Sequence, residues 1–137
     1  MSEQLNLVVP SGSAIANRSS IAFTEIADLP LILPGTHAGL RTKLSKVELT
    51  SGVSLNITLE IDSSDLAKQA VRNGLGYAIL PPVSFKAEAA GGELIGIPIT
   101  EPELEQSVRY AVRPLWPVPR STYDQVERII FAEWHLA

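Results

Sequence analysis

The sequence predicts an α/β protein, a sheet with helices on its faces. Three observations carry this. Between residues 31 and 80 the apolar pattern reads strand, helix, strand, helix, strand, joined by short connections. The apolar period changes from two in the strand segments to three or four in the helical ones. The chain has 137 residues, 45% hydrophobic and 19% charged, which suits one folded domain with a buried core.

The elements follow in order. LNLVV (5–9) is β-branched, apolar and ended by Pro10, so a strand is expected. PSGSAIANRSS is a turn-rich loop. FTEIADLP offers one helical turn, with Thr24 as N-cap and Pro30 as stop. LIL (31–33) reads as a buried strand closed by Pro34-Gly35. THAGLRTKLSKVELTSG places Leu40, Leu44 and Val47 on one helical face and ends at Gly52. SLNITLEI (54–61) alternates strictly, with Leu55, Ile57, Leu59 and Ile61 on the more buried face. Leu66, Ala67, Ala70 and Val71 form the stripe of the next helix, which Gly74 terminates. GYAIL (76–80) is a strand stopped by Pro81-Pro82, and PVSFKAEAAGG is a short helix with Pro82 in its first turn. ELIGIPI (93–99) and QSVRYAV (106–112) are further strands. The last segment is a helix striped by Val126, Ile129, Ile130 and Trp134. LNLVV, QSVRYAV and this helix lie outside the 31–80 unit and read as pieces of a second, incomplete layer.

Composition excludes several functions. The net charge is −4 and the eleven Lys and Arg are scattered, so no basic run tracks a nucleic-acid backbone. There is no cysteine, hence no disulfide, thiolate metal site or cysteine nucleophile. No signal peptide and no apolar run of membrane-spanning length is present, so a cytoplasmic chain is expected. The two histidines, His37 and His135, make neither a metal site nor a triad. Glu101, Glu103 and Glu105 read as a solvated turn. No catalytic constellation, cofactor or metal is expected, and the chain is read as a non-enzyme.

Ligands of α/β sheets bind beyond the carboxyl ends of the strands, where helix N-termini supply unpaired N–H groups and a partial positive charge. Two junctions qualify, LPGTHAG (33–39) and IDSSDL (61–66). Hydroxyls of Thr36, Ser63 and Ser64 suit a small carboxylate or phosphate. The same residue types are also preferred N-caps, and capping alone is the commoner role. Only one of two adjacent serines can be the cap. Asp62 and Asp65 oppose an anion unless they point away or pair with a base. Arg41 is able to take a carboxylate bidentately, although a surface ion pair is the simpler role.

The texts IADLPLILPGTHAGLR (26–41), LEIDSSDLAKQAVRNGLGYAILPP (59–82) and GGELIGIPITEPELEQSVRYAV (91–112) together resemble the effector-binding domain of LysR-type transcriptional regulators. The resemblance covers nearly the whole chain. It implies a fold like the type 2 periplasmic binding proteins, here one complete α/β lobe (about 11–100) and a partial second one (1–10 and 101–137). It implies a small, anionic effector such as a carboxylate in the inter-lobe cleft, with contacts at Gly35, Thr36, His37, Ser63 and Ser64. It also implies a homodimer whose arrangement the effector biases. The winged helix-turn-helix through which such regulators contact DNA, and the first part of the first lobe, have no counterpart among these residues. That leaves apolar surface on Val108, Tyr110, Val112, Ile129 and Ile130 as a motive for self-association. The alternatives are a stand-alone small-molecule-binding module and an interaction module whose hydroxyls are only caps.

Overall fold

The computed structural model describes residues 2–107 and 119–135. Its strands are β1 (Ser2–Gln4), β2 (Asn6–Pro10), β3 (Ile21–Ala22), β4 (Leu31–Leu33), β5 (Ile57–Glu60), β6 (Tyr77–Leu80), β7 (Leu94–Thr100) and β8 (Glu105–Ser107). The helices are α1 (Phe23–Ile26), α2 (Gly39–Ser51), α3 (Ser64–Arg72), α4 (Lys86–Ala90) and α5 (Arg120–His135), with a 3-10 turn at Pro82–Phe85 before α4. Six strands form one mixed sheet in the order β3-β7-β2-β6-β4-β5. β4 runs parallel to both β5 and β6, whereas β2 is antiparallel to β6 and β7.

The expected strand–helix unit over 31–80 is present as β4-α2-β5-α3-β6. LNLVV corrects one expectation. It is not a piece of a separate layer but lies inside the main sheet, bonded on both sides. The reason is its apolar continuity: Leu7 and Val9 pack into the core on one face, and Val8 into the core on the other. A strand flanked by neighbours and covered on both faces has no polar side to show. Of residues 1–10, the part that pairs away from this sheet is β1, which forms a two-stranded antiparallel ribbon with β8. Leu5 joins ribbon to sheet, donating to the Leu104 carbonyl at 2.7 Å and accepting from Ile99.

The helices cover both faces. Phe23 and Ile26 of α1 and Leu44 of α2 pack with Leu31, Leu33, Ile79 and Ile97. Ala67, Ala70 and Val71 of α3 pack with Ile32, Ala78 and Phe85 on the opposite face. Each fully buried Leu, Ile or Phe contributes about 1.5–3 kcal/mol. Leu66, expected in the α3 stripe, remains exposed. β5 is the edge strand, so its alternation buries Leu55, Ile57 and Ile61 only partly and leaves Leu59 exposed.

Helix ends follow local chemistry. Gly52 and Gly74 take left-handed φ values of 71° and 73° just beyond α2 and α3. α1 begins two residues earlier than a Thr24 cap requires: its N-cap is Ala22, whose N–H donates to the Glu25 carboxylate at 2.8 Å. Glu25, in the third helical position, thus satisfies the backbone donor of the N-cap residue itself, and no side chain caps the first turn. QSVRYAV lies outside the described residues beyond Ser107, as do Val108, Tyr110, Val112 and Trp116. On α5, Val126 and Ile129 are exposed and Ile130 is half-buried.

Candidate functional site in the cleft at the sheet's carboxyl end

β4 has β5 on one side and β6 on the other, so the connections leaving its neighbourhood diverge at the carboxyl ends of β4 and β6. This is the switch point at which an α/β sheet opens a crevice. A recess of about 230 Å³ lies there. Ile32 and Ala78 from the two strands line it, with Asp62, Ser64 and Ser84 from the following turns and Gln106 from β8. A second recess of about 510 Å³ adjoins it, sharing Leu40 and Gln106 and adding Lys43 and Ser107. A recess of similar size elsewhere, about 560 Å³, is lined among the described residues by α5 alone and gathers nothing from the sheet.

Asp62 ties the two junctions together. Its Oδ1 accepts the Gly35 N–H at 2.9 Å, and His37 Nε2 stands 3.6 Å from the same oxygen. Gly35 is buried, and a Cβ there would come within 2.9 Å of the His37 ring and 3.4 Å of Asp62 Oδ1. The turn Gly35–Ala38 closes with Ala38 N–H donating to the Gly35 carbonyl, and α2 starts one residue later with no side-chain cap. Thr36 and His37 therefore sit in the turn before the helix rather than in its first turn, and both are exposed. At the other junction the two serines divide. Ser63 is the N-cap of α3, its Oγ accepting the Leu66 N–H at 3.3 Å. Ser64 lines the recess.

Of the two acids, Asp65 pairs with a base, whereas Asp62 is engaged but still lines the recess. Asp62 is engaged with Gly35 and His37, and Asp65 lies 3.4 Å from Lys68 Nζ. Arg41 is engaged as well: its Nη1 donates to the Pro34 carbonyl at 3.0 Å and to Glu60 at 3.1 Å, the ion pair that was the simpler expectation. Arg41 thus braces the first junction against the edge strand. The structure brings Gly35, His37 and Ser64 to the neighbourhood of Asp62, leaves Ser63 as a cap, and gives Thr36 no described partner. Sequence reasoning missed Ser84, Gln106 and Lys43 as cleft residues. No local pattern marks them: Gln106 reaches the cleft only through the pairing of β8 with β1, Lys43 through α2 and Ser84 through the 3-10 turn after β6. Among the described residues no group of histidines and carboxylates is placed to hold a metal ion, and no helix is long and apolar enough to cross a membrane.

Comparison with known proteins gives a consistent result. The model of the family described as LysR substrate binding domain matches residues 1–122. A RuBisCO operon transcriptional regulator of Acidithiobacillus ferrooxidans is 31% identical over 100 residues, 73% of this chain and 32% of the relative. The HTH-type transcriptional activator CmpR of Synechocystis is 29% identical over 80 residues, 58% of this chain and 26% of the relative. The chain thus spans about a third or less of the length of these two regulators. Among solved structures, the regulatory domain of Synechocystis CcmR in complex with 2-PG superposes with a TM-score of 0.73 at 20% identity, covering 97% of this chain and 64% of that one. The effector-binding domain of QuiR in complex with shikimate gives 0.65 at 19% identity, covering 82% and 56%.

Proposed function

The chain belongs to the LysR substrate binding domain family, a family of regulators and not of enzymes, and on that premise we propose that it senses a small anionic effector in the switch-point cleft. The observation that carries this reading is the convergence of Ser64, Ser84 and Gln106 at one recess, with Asp62, which also lines it, holding the Gly35 turn in register. Of Gly35, Thr36, His37, Ser63 and Ser64, the contacts that the resemblance implies, Ser63 serves the site as the cap of α3, and the other four are the proposed contacts of the lobe built on the main sheet. Ser64 supplies a hydroxyl, His37 an imidazole at the rim, and the turn at Gly35 backbone dipoles. The ligands named for CcmR and QuiR, 2-PG and shikimate, make small effectors of this kind the first to try.

Binding needs no chemistry. An effector that contacts one arrangement of the lobes better than another shifts the population between them by its difference in affinity. The β1–β8 ribbon is the hinge of that shift, since it joins the main sheet to residues beyond Ser107. In a regulator the readout is a homodimer whose geometry changes, with DNA contacted by a helix-turn-helix part rather than by this acidic, cytoplasmic portion. The test is thermal unfolding of the chain against 2-PG, shikimate and a panel of small carboxylates and phosphates. A ligand at about a hundredfold over its Kd adds roughly 2.7 kcal/mol, several degrees in Tm. A compound that shifts the wild-type melt but not that of Ser64→Ala supports the reading. A cooperative melt that no compound moves contradicts it.

A further inference from the structure

The cleft is chemically lopsided. The switch-point recess presents a carboxylate, two hydroxyls and an amide, from Asp62, Ser64, Ser84 and Gln106, and no cation lines it among the described residues. An anionic group placed there would face Asp62. The adjoining recess adds Lys43. The other nearby basic side chains are engaged: Arg41 with Pro34 and Glu60, Lys68 with Asp65 and Glu88, and His37 beside Asp62. Lys43 is half-buried, and no carboxylate among the described residues stands within ion-pair distance of it. A lysine that gives up part of its hydration beside a cavity, without a counter-charge, is completed by an anion entering that cavity.

Resting on the reading of this cleft as the effector site, we propose that Lys43 receives the effector's anionic group while Asp62 and Ser64 receive a hydrogen-bond donor at its other end. The effector class is then a small molecule with a carboxylate or phosphate at one end and a hydroxyl or ammonium at the other. Gln106, common to both recesses, sits between the two ends. A ligand with two anionic ends and no donor leaves one of them against Asp62 and binds less well.

Calorimetric titration of the whole chain tests this with 4-hydroxybutyrate, 4-aminobutyrate, succinate and the compound giving the largest melting shift. 4-Hydroxybutyrate or 4-aminobutyrate is expected to bind about tenfold or more tighter than succinate. Lys43→Met is expected to weaken the best binder by about tenfold or more, and Lys43→Arg to keep it within about threefold. Lys43→Gln repeats the measurement should the methionine variant melt early. Unchanged affinity in the neutral Lys43 variants, or succinate binding as well as 4-hydroxybutyrate and 4-aminobutyrate, overturns the assignment while leaving the effector site standing. Binding by none of these compounds removes both.

Discussion

Ser63 and Ser64 are neighbours with separable roles. Ser63 Oγ caps α3 through Leu66, so Ser63→Ala should cost about 1 kcal/mol of stability and change effector affinity little. Ser64 lines the recess and makes no described hydrogen bond through its side chain, so Ser64→Ala should do the reverse: weaker binding, with about 1 kcal/mol or less lost in stability. Denaturant titration beside ligand titration separates the two, and equal affinity losses in both variants would refute the division. Glu3 carries another residue-scale prediction. Its Oε2 is buried with no hydrogen-bond partner, and burial raises its pKa above the ordinary 4.5, offset in part by the Val83 backbone. A raised carboxyl pKa means that the folded state prefers the protonated form. Stability is then full below pH 4.5 and is lost as pH rises through the folded pKa. Glu3→Gln should therefore raise Tm at pH 7, by an amount that shrinks on acidification. A lower Tm at pH 7 would show that the carboxylate is compensated after all.

At the scale of elements, α3 is fastened to α4 and to the turn before β7 by charges. Lys68 Nζ lies 2.7 Å from Glu88, and Arg72 reaches Glu88 at 3.4 Å and Glu93 at 3.0 Å. Burial alone would lower the pKa of Lys68, but hydrogen bonds to Glu88 and Asp65 hold it above its ordinary 10.5. The hydrogen bond from Lys68 holds the Glu88 pKa below 4.5. The Glu88 contribution is present above pH 4.5 and fades as pH falls through its depressed folded value, while that of Lys68 persists below pH 10.5 and fades as pH rises through its raised one. Glu88→Gln should cost about 1–2 kcal/mol at pH 7 and flatten the acid limb of the stability profile. An acid limb as steep as wild type would assign that limb to other carboxylates. The elements themselves were largely legible. Alternation and helical spacing placed β4 to β6, and Gly52, Gly74 and Pro82 marked boundaries, because these signals are local. The α1 start was not, since the helix begins two residues before a Thr24 cap would place it, with the Ala22 N–H held by Glu25 from inside the first turn.

At the scale of the molecule, what the sequence hid is what long-range pairing decides. β2 sits between β6 and β7, more than 60 residues away in sequence by the pairings Asn6↔Leu80 and Asn6↔Pro98. No periodicity within LNLVV states its neighbours. The same applies to the cleft. Gly35 and Ser64 could be read from turn and cap chemistry beside strand ends, whereas Gln106 and Lys43 enter it only once the ribbon and α2 are in place. The resemblance supplied the family. The switch-point geometry supplies the reason for a cleft between β4 and β6.

Whether this cleft holds the effector is read from a 1H–15N titration of the chain with the compound that shifts the melt most. Amide shifts are expected to concentrate at residues 33–40, 61–67, 80–84 and 106, with those of 11–17 and 120–132 nearly still. Shifts centred on α5 or on the 11–17 loop instead would place the ligand elsewhere and contradict the cleft assignment.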